Sequence, residues 1–120
     1  MANRKLLIVD DEVSMSELLK EHFQDQGFQV STAVSGQEAI DILKEEKPKV
    51  VLLDIRLKGK MDGIAVLKEA RDISADSKII MISALDDEYR QEAKNLGAYA
   101  FLGKPIQIDS LDELVEEIIK

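Results

Sequence analysis

Short runs of aliphatic residues alternate along this chain with longer segments in which apolar residues recur at helical spacing. Five runs have the length of strands: residues 6–9, 28–32, 50–53, 78–83 and 99–103. The first four contain β-branched residues, and the fifth is a weaker strand pattern. Each run is followed by a segment whose spacing predicts a helix. This strict alternation predicts an α/β fold with a doubly wound parallel sheet, right-handed crossovers and helices on both faces.

The third run, residues 50–53, is the one around which the other elements are expected to be arranged. It has four aliphatic side chains without a polar break, which is typical of a strand buried on both faces in the middle of a parallel sheet. It ends at Asp54, which predicts a carboxylate at the edge where open α/β sheets bind ligands. Taken alone, Asp54 could equally cap the following turn. Residues 28–32 alternate more clearly, which predicts a strand near an edge of the sheet.

Capping patterns indicate where the helices begin. Three segments place a hydroxyl three residues before a carboxylate, and an aspartate is the predicted cap of the fourth helix: Ser14 to Glu17, Ser35 to Glu38, Ser110 to Glu113, and Asp86 or Asp87. The first and fourth helices are predicted to end at Gly27 and Gly97. The second is predicted to end at Pro48, because proline cannot continue a helix.

Composition restricts the classes of function. The 120 residues suit one compact domain, and the net charge of -8 argues against general nucleic-acid binding, which needs a basic face. The lack of cysteine excludes disulfides, thiolate metal sites and cysteine nucleophiles. The sequence has no signal-peptide core and no apolar run of membrane length. We therefore expect an acidic, cytoplasmic domain that works without nucleic acid or membrane.

Polar side chains end or follow four of the five predicted strands. Asp10 and Asp11 follow the first, Asp54 follows the third, Ser83 ends the fourth and Lys104 follows the fifth. Because the carboxyl ends of parallel strands meet at one edge, these side chains are expected to share a cleft. Three close carboxylates repel one another unless they are protonated or bridged by a cation, and a ligand set made only of oxygens favours Mg²⁺. The ammonium and hydroxyl would receive an anion, so the pattern predicts a phosphoryl group on or beside Asp54.

Six short motifs lie at the ends of these elements. They read Val9-Asp-Asp-Glu12, Leu53-Asp54, Met61-Asp-Gly63, Ser83-Ala84, Gly97-Ala98 and Lys104-Pro105, and together they resemble the receiver domains of bacterial response regulators. The resemblance covers essentially the whole chain. It implies one receiver domain over residues 1–120, with a flavodoxin-like or CheY-like sheet whose strands lie in the order 2-1-3-4-5.

The resemblance also implies the chemistry of the site. Asp54 would be the phosphoacceptor and would take a phosphoryl group from a phosphohistidine on a sensor histidine kinase or a histidine phosphotransfer protein. Asp10 and Asp11 would hold Mg²⁺, or Mn²⁺ in its place, together with Asp54 and the main-chain carbonyl of Arg56. The chain would not be an enzyme with a separate substrate, although it would catalyse its own phosphorylation and dephosphorylation.

Two residues are implied to switch after phosphorylation. Ser83 would bind the phosphoryl oxygens and swing inward, Phe101 would follow it, and Lys104 would pair with the phosphate. The charge added at Asp54 would then change the surface formed by the fourth helix, fifth strand and fifth helix. That change would alter the binding of a downstream protein.

The loop that follows Asp54 departs from the family pattern. Residues 57–61 read Leu-Lys-Gly-Lys-Met, lack the usual proline and are one residue longer, and Lys58 and Lys60 add positive charge. Arg56 is predicted to lie over the cleft. A long cationic side chain there would hinder the attack of water and slow the loss of the phosphoryl group.

Other classes fit the same residues less well. An aspartate-nucleophile phosphatase would place a second aspartate two residues after the first, where this chain has Arg56. A flavin mononucleotide carrier would need a phosphate-binding loop after the first strand, where Asp10, Asp11 and Glu12 would repel phosphate. The intact acceptor, acids and lysine disfavour a receiver that never takes phosphate. The receiver part of a longer transcription factor stays open, and the sequence names neither the kinase nor the target.

Overall fold

The chain alternates five strands with five helices in the computed structural model, which describes residues 3–84 and 88–120. The strands are β1 (Lys5–Val9), β2 (Gln29–Ala33), β3 (Val50–Asp54), β4 (Lys78–Ser83) and β5 (Ala100–Gly103). The helices are α1 (Val13–Asp25), α2 (Gly36–Glu46), α3 (Gly63–Ile73), α4 (Arg90–Asn95) and α5 (Ile108–Ile119). Every strand pair is parallel, in the order β2-β1-β3-β4-β5. The predicted fold class and strand order are confirmed.

Strand β3 lies at the centre of the sheet and is buried over its whole length. Because side chains alternate along a strand, Val51 and Leu53 face a core shared with α2 and α3, whereas Val50 and Leu52 face a second core shared with α1 and α5. The outer strands β2 and β5 are mostly half-buried. Burial on both faces explains the unbroken aliphatic run of β3, and it fixes the point at which Asp54 leaves the core.

Three of the predicted helix boundaries are confirmed by local geometry. Ser35 caps α2, because its Oγ accepts a hydrogen bond from the amide of Glu38 at 3.2 Å. Gly27 and Gly97 follow the ends of α1 and α4 with φ values of 90° and 93°. Glycine adopts this left-handed conformation at little cost, so both residues allow the chain to leave the helix.

The prediction that Ser14 caps α1 is wrong. The cap position lies two residues earlier, at Glu12, which makes no side-chain cap, and the helix begins at Val13. The amide of Glu12 donates to Asp10 Oδ1 at 2.9 Å, so the turn formed by Asp10 starts the helix before Ser14 is reached. The hydroxyl-to-carboxylate spacing at Ser14 therefore falls inside the first turn.

The cap predicted for α5 is wrong in a similar way. Ser110 does not cap α5, which begins at Ile108 after Gln107. Ser110 is the third residue of this helix. A cap residue precedes the first turn and accepts hydrogen bonds from its free amides, so Ser110 comes too late in the chain to do so. The caps predicted for α4, Asp86 and Asp87, lie outside the described residues.

Among the helices described here, none combines the length and the apolar character that crossing a membrane requires.

Candidate functional site

The polar residues expected to share a cleft lie at the same edge of the sheet. Asp10, Asp54 and Ser83 end or follow their strands there, and they are 7%, 4% and 3% exposed. Asp11 is half-buried, and Lys104 follows β5. Parallel pairing of β1 with β3, of β3 with β4 and of β4 with β5 keeps these strand ends in step. The fold therefore places all five residues at the carboxyl edge.

Both carboxylate oxygens of Asp54 accept hydrogen bonds. Lys104 Nζ lies 2.7 Å from Oδ2, and the Arg56 amide donates to Oδ1 at 2.9 Å. The backbone of Lys104 is itself held in place, because its amide donates to the carbonyl of Ser83 at 2.8 Å. The side chain of Asp54 is 5% exposed and that of Lys104 is 45% exposed. The ion pair thus joins a buried anion to a cation that water can reach.

Opposing effects act on the ammonium of Lys104. Burial lowers the pKa of Lys104, but its hydrogen bond to Asp54 and the attraction of Asp54, Asp10 and Glu12 outweigh burial, so the pKa is raised above its ordinary value. The side chain therefore remains a cation at neutral pH. A fixed cation at this point can pair with an anionic group carried by Asp54.

Burial is also the main influence on Asp10. It raises the pKa of the Asp10 carboxyl, and repulsion from Asp54 and Asp11 raises it further. The hydrogen bond from the Glu12 amide and the attraction of Lys104 act in the opposite direction without cancelling the rise. The carboxylates are therefore close enough to interact, as expected for an acidic cleft.

Asp10→Asn is expected to stabilise the fold at neutral pH. The folded pKa of Asp10 is raised above the ordinary aspartate value of about 3.9, so this residue favours folding only while it is protonated. That contribution is present below about pH 3.9 and is lost as the pH rises through the folded pKa. Denaturant titration should show a higher free energy of unfolding for the variant at pH 7 and little difference at pH 3. Asp72→Asn, at an exposed position of α3, is the control, and equal stability of Asp10→Asn and its parent at pH 7 would contradict the expectation.

The acidic residues suit a hard cation in their chemistry, but they are not arranged as a finished metal site. Their donors are all oxygens, and a cation would relieve the repulsion among Asp10, Asp11 and Asp54. Each of these acids already accepts a hydrogen bond from a backbone amide. The amide of Glu12 donates to Asp10 Oδ1 at 2.9 Å, that of Lys58 to Asp11 Oδ2 at 3.0 Å and that of Arg56 to Asp54 Oδ1 at 2.9 Å. Within the described part of the chain, no three Asp, Glu, His or Cys side chains form a group that could hold a metal. The residues fit Mg²⁺ as the few protein ligands of a largely hydrated ion.

The predicted switch residues lie on neighbouring strands in different surroundings. Ser83 is buried at the end of β4, whereas Phe101 on β5 is half-buried and packs against the core shared with α2 and α3. The guanidinium of Arg90 lies 4.8 Å from the centre of the Phe101 ring, a cation–π contact that the sequence analysis missed. Arg90 and Phe101 line a cavity of about 540 Å³ between α4 and β5. The aromatic ring therefore borders open space beside the strand that carries it.

The side chain of Arg56 has partners that the sequence analysis also missed. Its guanidinium is 3.7 Å from Glu88 Oε1 and 4.8 Å from the centre of the Tyr89 ring, and both residues come just before α4. The side chain is 55% exposed. Arg56 thus connects the loop after β3 with the start of α4, which draws its cation toward that helix.

Known proteins are similar to this chain in sequence and in fold. A family model described as "Response regulator receiver domain" matches residues 6–116. The sporulation initiation phosphotransferase F of Bacillus subtilis is 38% identical over 120 residues, which cover 99% of this chain and 96% of that protein. The alkaline phosphatase synthesis transcriptional regulatory protein PhoP of Bacillus subtilis is 35% identical over 119 residues, but this chain spans only 49% of its length. The crystal structure of the receiver domain of NtrX from Brucella abortus is similar with a TM-score of 0.87 at 33% identity, covering 95% of this chain and 97% of that one.

Proposed function

Because this chain belongs to the response regulator receiver domain family, whose members are phosphorylated on an aspartate, we propose that its phosphoacceptor is Asp54 and that residues 1–120 form one receiver domain. The observation that supports this assignment most directly is the buried Asp54 carboxylate at the end of β3, with Lys104 Nζ 2.7 Å from Oδ2. Uptake of one phosphoryl group per chain from a small acyl phosphate tests the proposal. Failure to take up phosphate from any donor would contradict it.

In the proposed reaction, the Asp54 carboxylate attacks the phosphorus of a phosphohistidine on a partner protein. The phosphorus–nitrogen bond breaks, the phosphorus–oxygen bond to Asp54 forms, and the imidazole leaves with the electron pair and takes up a proton. The product is a mixed anhydride of a carboxylic and a phosphoric acid. Phosphoryl transfer depends mainly on positioning and charge neutralisation. The hydrogen bonds from the Arg56 amide and from Lys104 position the attacking carboxylate.

The cation and the hydroxyl of the site act on the transferred group. Lys104 exchanges its bond to Asp54 Oδ2 for one to a phosphoryl oxygen, and the hydroxyl of Ser83 donates to another. When bound, Mg²⁺ supplies further positive charge for the phosphoryl oxygens. Asp10, Asp11, Asp54 and the main-chain carbonyl of Arg56 would hold this ion, and Mn²⁺ could replace it. The reaction is thus catalysed by the chain on its own acceptor, as suits a signalling protein that is not a conventional enzyme.

The output of the proposed reaction is a change of surface. A phosphorylated Asp54 carries about two negative charges at the end of β3, and Ser83 moves toward them. Phe101 follows into the space that Ser83 leaves, so the surface formed by α4, β5 and α5 changes. A downstream protein that binds this surface would then distinguish the two states.

The partners follow from the same chemistry. The phosphodonor is a sensor histidine kinase or a histidine phosphotransfer protein, and the receiving partner is a protein. The net charge of -8 disfavours direct binding of nucleic acid by this chain. We place the phosphorelay in the cytoplasm.

Asp11→Ala is expected to weaken the binding of Mg²⁺ by at least about tenfold, because loss of an outer-shell partner alone typically costs 10- to 100-fold. Phosphorylation should slow, while the fold stays intact because Asp11 is half-buried outside the core. The melting temperature is expected to rise, because one of three interacting carboxylates is removed. Calorimetric titration with Mg²⁺ measures the affinity, with Asp76→Ala, at an exposed position, as the control. An unchanged titration curve for Asp11→Ala would exclude it as a ligand.

A further inference from the structure

We propose that the loop between β3 and α3 competes with the divalent cation for Asp11. The tip of this loop, residues 58–60, would have to leave the Asp11 carboxylate before that carboxylate can bind Mg²⁺. This inference rests on the proposed Mg²⁺ site. The loop would control metal binding through a backbone hydrogen bond to Asp11.

The contact itself joins two distant parts of the chain. The amide of Lys58 donates to Asp11 Oδ2 at 3.0 Å, across 47 residues of sequence. A hydrogen bond to an ionised acceptor is stronger than one between neutral groups. The loop tip therefore closes over the acid that is expected to be the most accessible ligand, because Asp10 and Asp54 are both buried.

The anchors of the loop allow the tip to move without disturbing the acceptor. Before the tip, Leu57 is buried at 7% exposure. After it, Asp62 caps α3 by accepting a hydrogen bond from the amide of Ala65 at 3.0 Å. Between these anchors the tip residues 58–60 are exposed, and a side chain at Gly59 would meet open space. Met61, which follows the tip, is half-buried and packs against the core. Motion can therefore be confined to the loop tip.

The bond requires an amide hydrogen at position 58. Proline has no amide hydrogen, so a proline at this position could not donate to Asp11. In this chain Lys58 supplies the donor. The tip also carries the two lysine side chains at positions 58 and 60, whose charge opposes the approach of a cation.

Competition follows from what each ligand needs. Mg²⁺ keeps several waters in a nearly octahedral shell, so Asp11 has to face a hydrated ion with room around its oxygens. With the loop tip bonded to Oδ2 at 3.0 Å, the Lys58 amide occupies a lone-pair position of the carboxylate that the hydrated ion would need. By linkage, the same coupling acts in both directions: closure of the tip weakens cation binding, and the bound cation releases the tip.

Two substitutions separate the backbone bond from the side-chain charge. Lys58→Ala removes the charge and keeps the amide, whereas Lys58→Pro removes both. Calorimetric titration with Mg²⁺ should show that Lys58→Pro binds about tenfold more tightly than Lys58→Ala, which is a difference of about 1.4 kcal/mol. Equal affinities of the two variants would overturn the inference.

A measurement on the unmodified chain covers the case in which Lys58→Pro does not fold. The amide of Lys58 should be protected from hydrogen exchange without metal and should lose that protection at saturating Mg²⁺. Protection that persists at saturation would overturn the inference and leave the metal site standing. No saturable binding of Mg²⁺ or Mn²⁺ by the parent or either variant would overturn the inference and the proposed metal site together.

Discussion

Asp54→Asn is expected to abolish phosphorylation of this chain by a small acyl phosphate in the presence of Mg²⁺. The amide nitrogen of asparagine is a poor nucleophile for phosphorus, so the reaction loses its attacking atom. The rest of the site should survive, because asparagine has the shape of aspartate and keeps one oxygen to accept the Arg56 amide, which lies 2.9 Å from Oδ1. Intact-mass spectrometry should detect one added phosphoryl group on the parent and none on the variant.

The loss of the negative charge at Asp54 is not expected to unfold the protein and so to abolish labelling indirectly. The side chain of Lys104 is 45% exposed, so its ammonium can regain water when its partner is removed. Asp72→Asn removes an exposed acid from α3 and should leave labelling unchanged. Asp10 is the buried carboxylate that interacts with Asp54. Peptide mapping would reveal transfer of the phosphoryl group to Asp10 in the variant. Equal labelling of Asp54→Asn and its parent would assign the acceptor to another residue.

The fold and the shared edge were predictable because local sequence determines them. Helices on both faces require a central strand without polar positions, so residues 50–53 could be placed in the middle of the sheet. Once all strands are parallel, the residues after them meet at one edge in any strand order. Asp10, Asp54 and Lys104 were therefore expected as neighbours before any distance was known.

Helix starts and loop contacts were less predictable, because they depend on where other parts of the chain lie. Ser14 has the spacing of a capping box, yet the Asp10 carboxylate at the end of β1 bonds the amide of Glu12 and starts α1 first. The bond from Lys58 to Asp11 crosses 47 residues, and local sequence carries no pattern that marks it. In each case a backbone amide is taken by a carboxylate that the sheet holds in place.

The segment that carries Phe101, formed by α4 and β5, has few buried apolar side chains. Helix α4 has six residues and buries Ala93, and the residues of β5 are half-buried. Segments with few buried apolar contacts open locally at a low free energy. The contact between Arg90 and the Phe101 ring lies in this segment, so it can be broken without disturbing the central strand. Such a region suits the proposed change of surface.

Gly63→Ala is expected to lower the free energy of unfolding by about 3 kcal/mol, the upper end of the usual range for overpacked sites. Gly63 is the buried first residue of α3. An added Cβ would collide with the carbonyl oxygen of Asp54 and lie 2.6 Å from the Cα of Ile55. These main-chain atoms cannot turn aside as a side chain could. The conflict is one of space, since Gly63 is not one of the glycines with positive φ. The gain of about 1 kcal/mol in helix propensity from glycine to alanine is too small to offset it.

Thermal and denaturant unfolding measure the effect, and a loss of about 3 kcal/mol should lower the midpoint by roughly 10 °C. Lys68→Ala, at an exposed position on the same helix, should change the stability by less than about 0.5 kcal/mol. Because the new Cβ presses on the carbonyl of Asp54, Gly63→Ala should also take up phosphate more slowly at temperatures where it is still folded. An unchanged midpoint and rate would mean that the turn between β3 and α3 shifts freely. The hydrogen bonds from Lys104 and from the Arg56 amide would then be what positions the carboxylate of Asp54. The main chain next to Gly63 would contribute little.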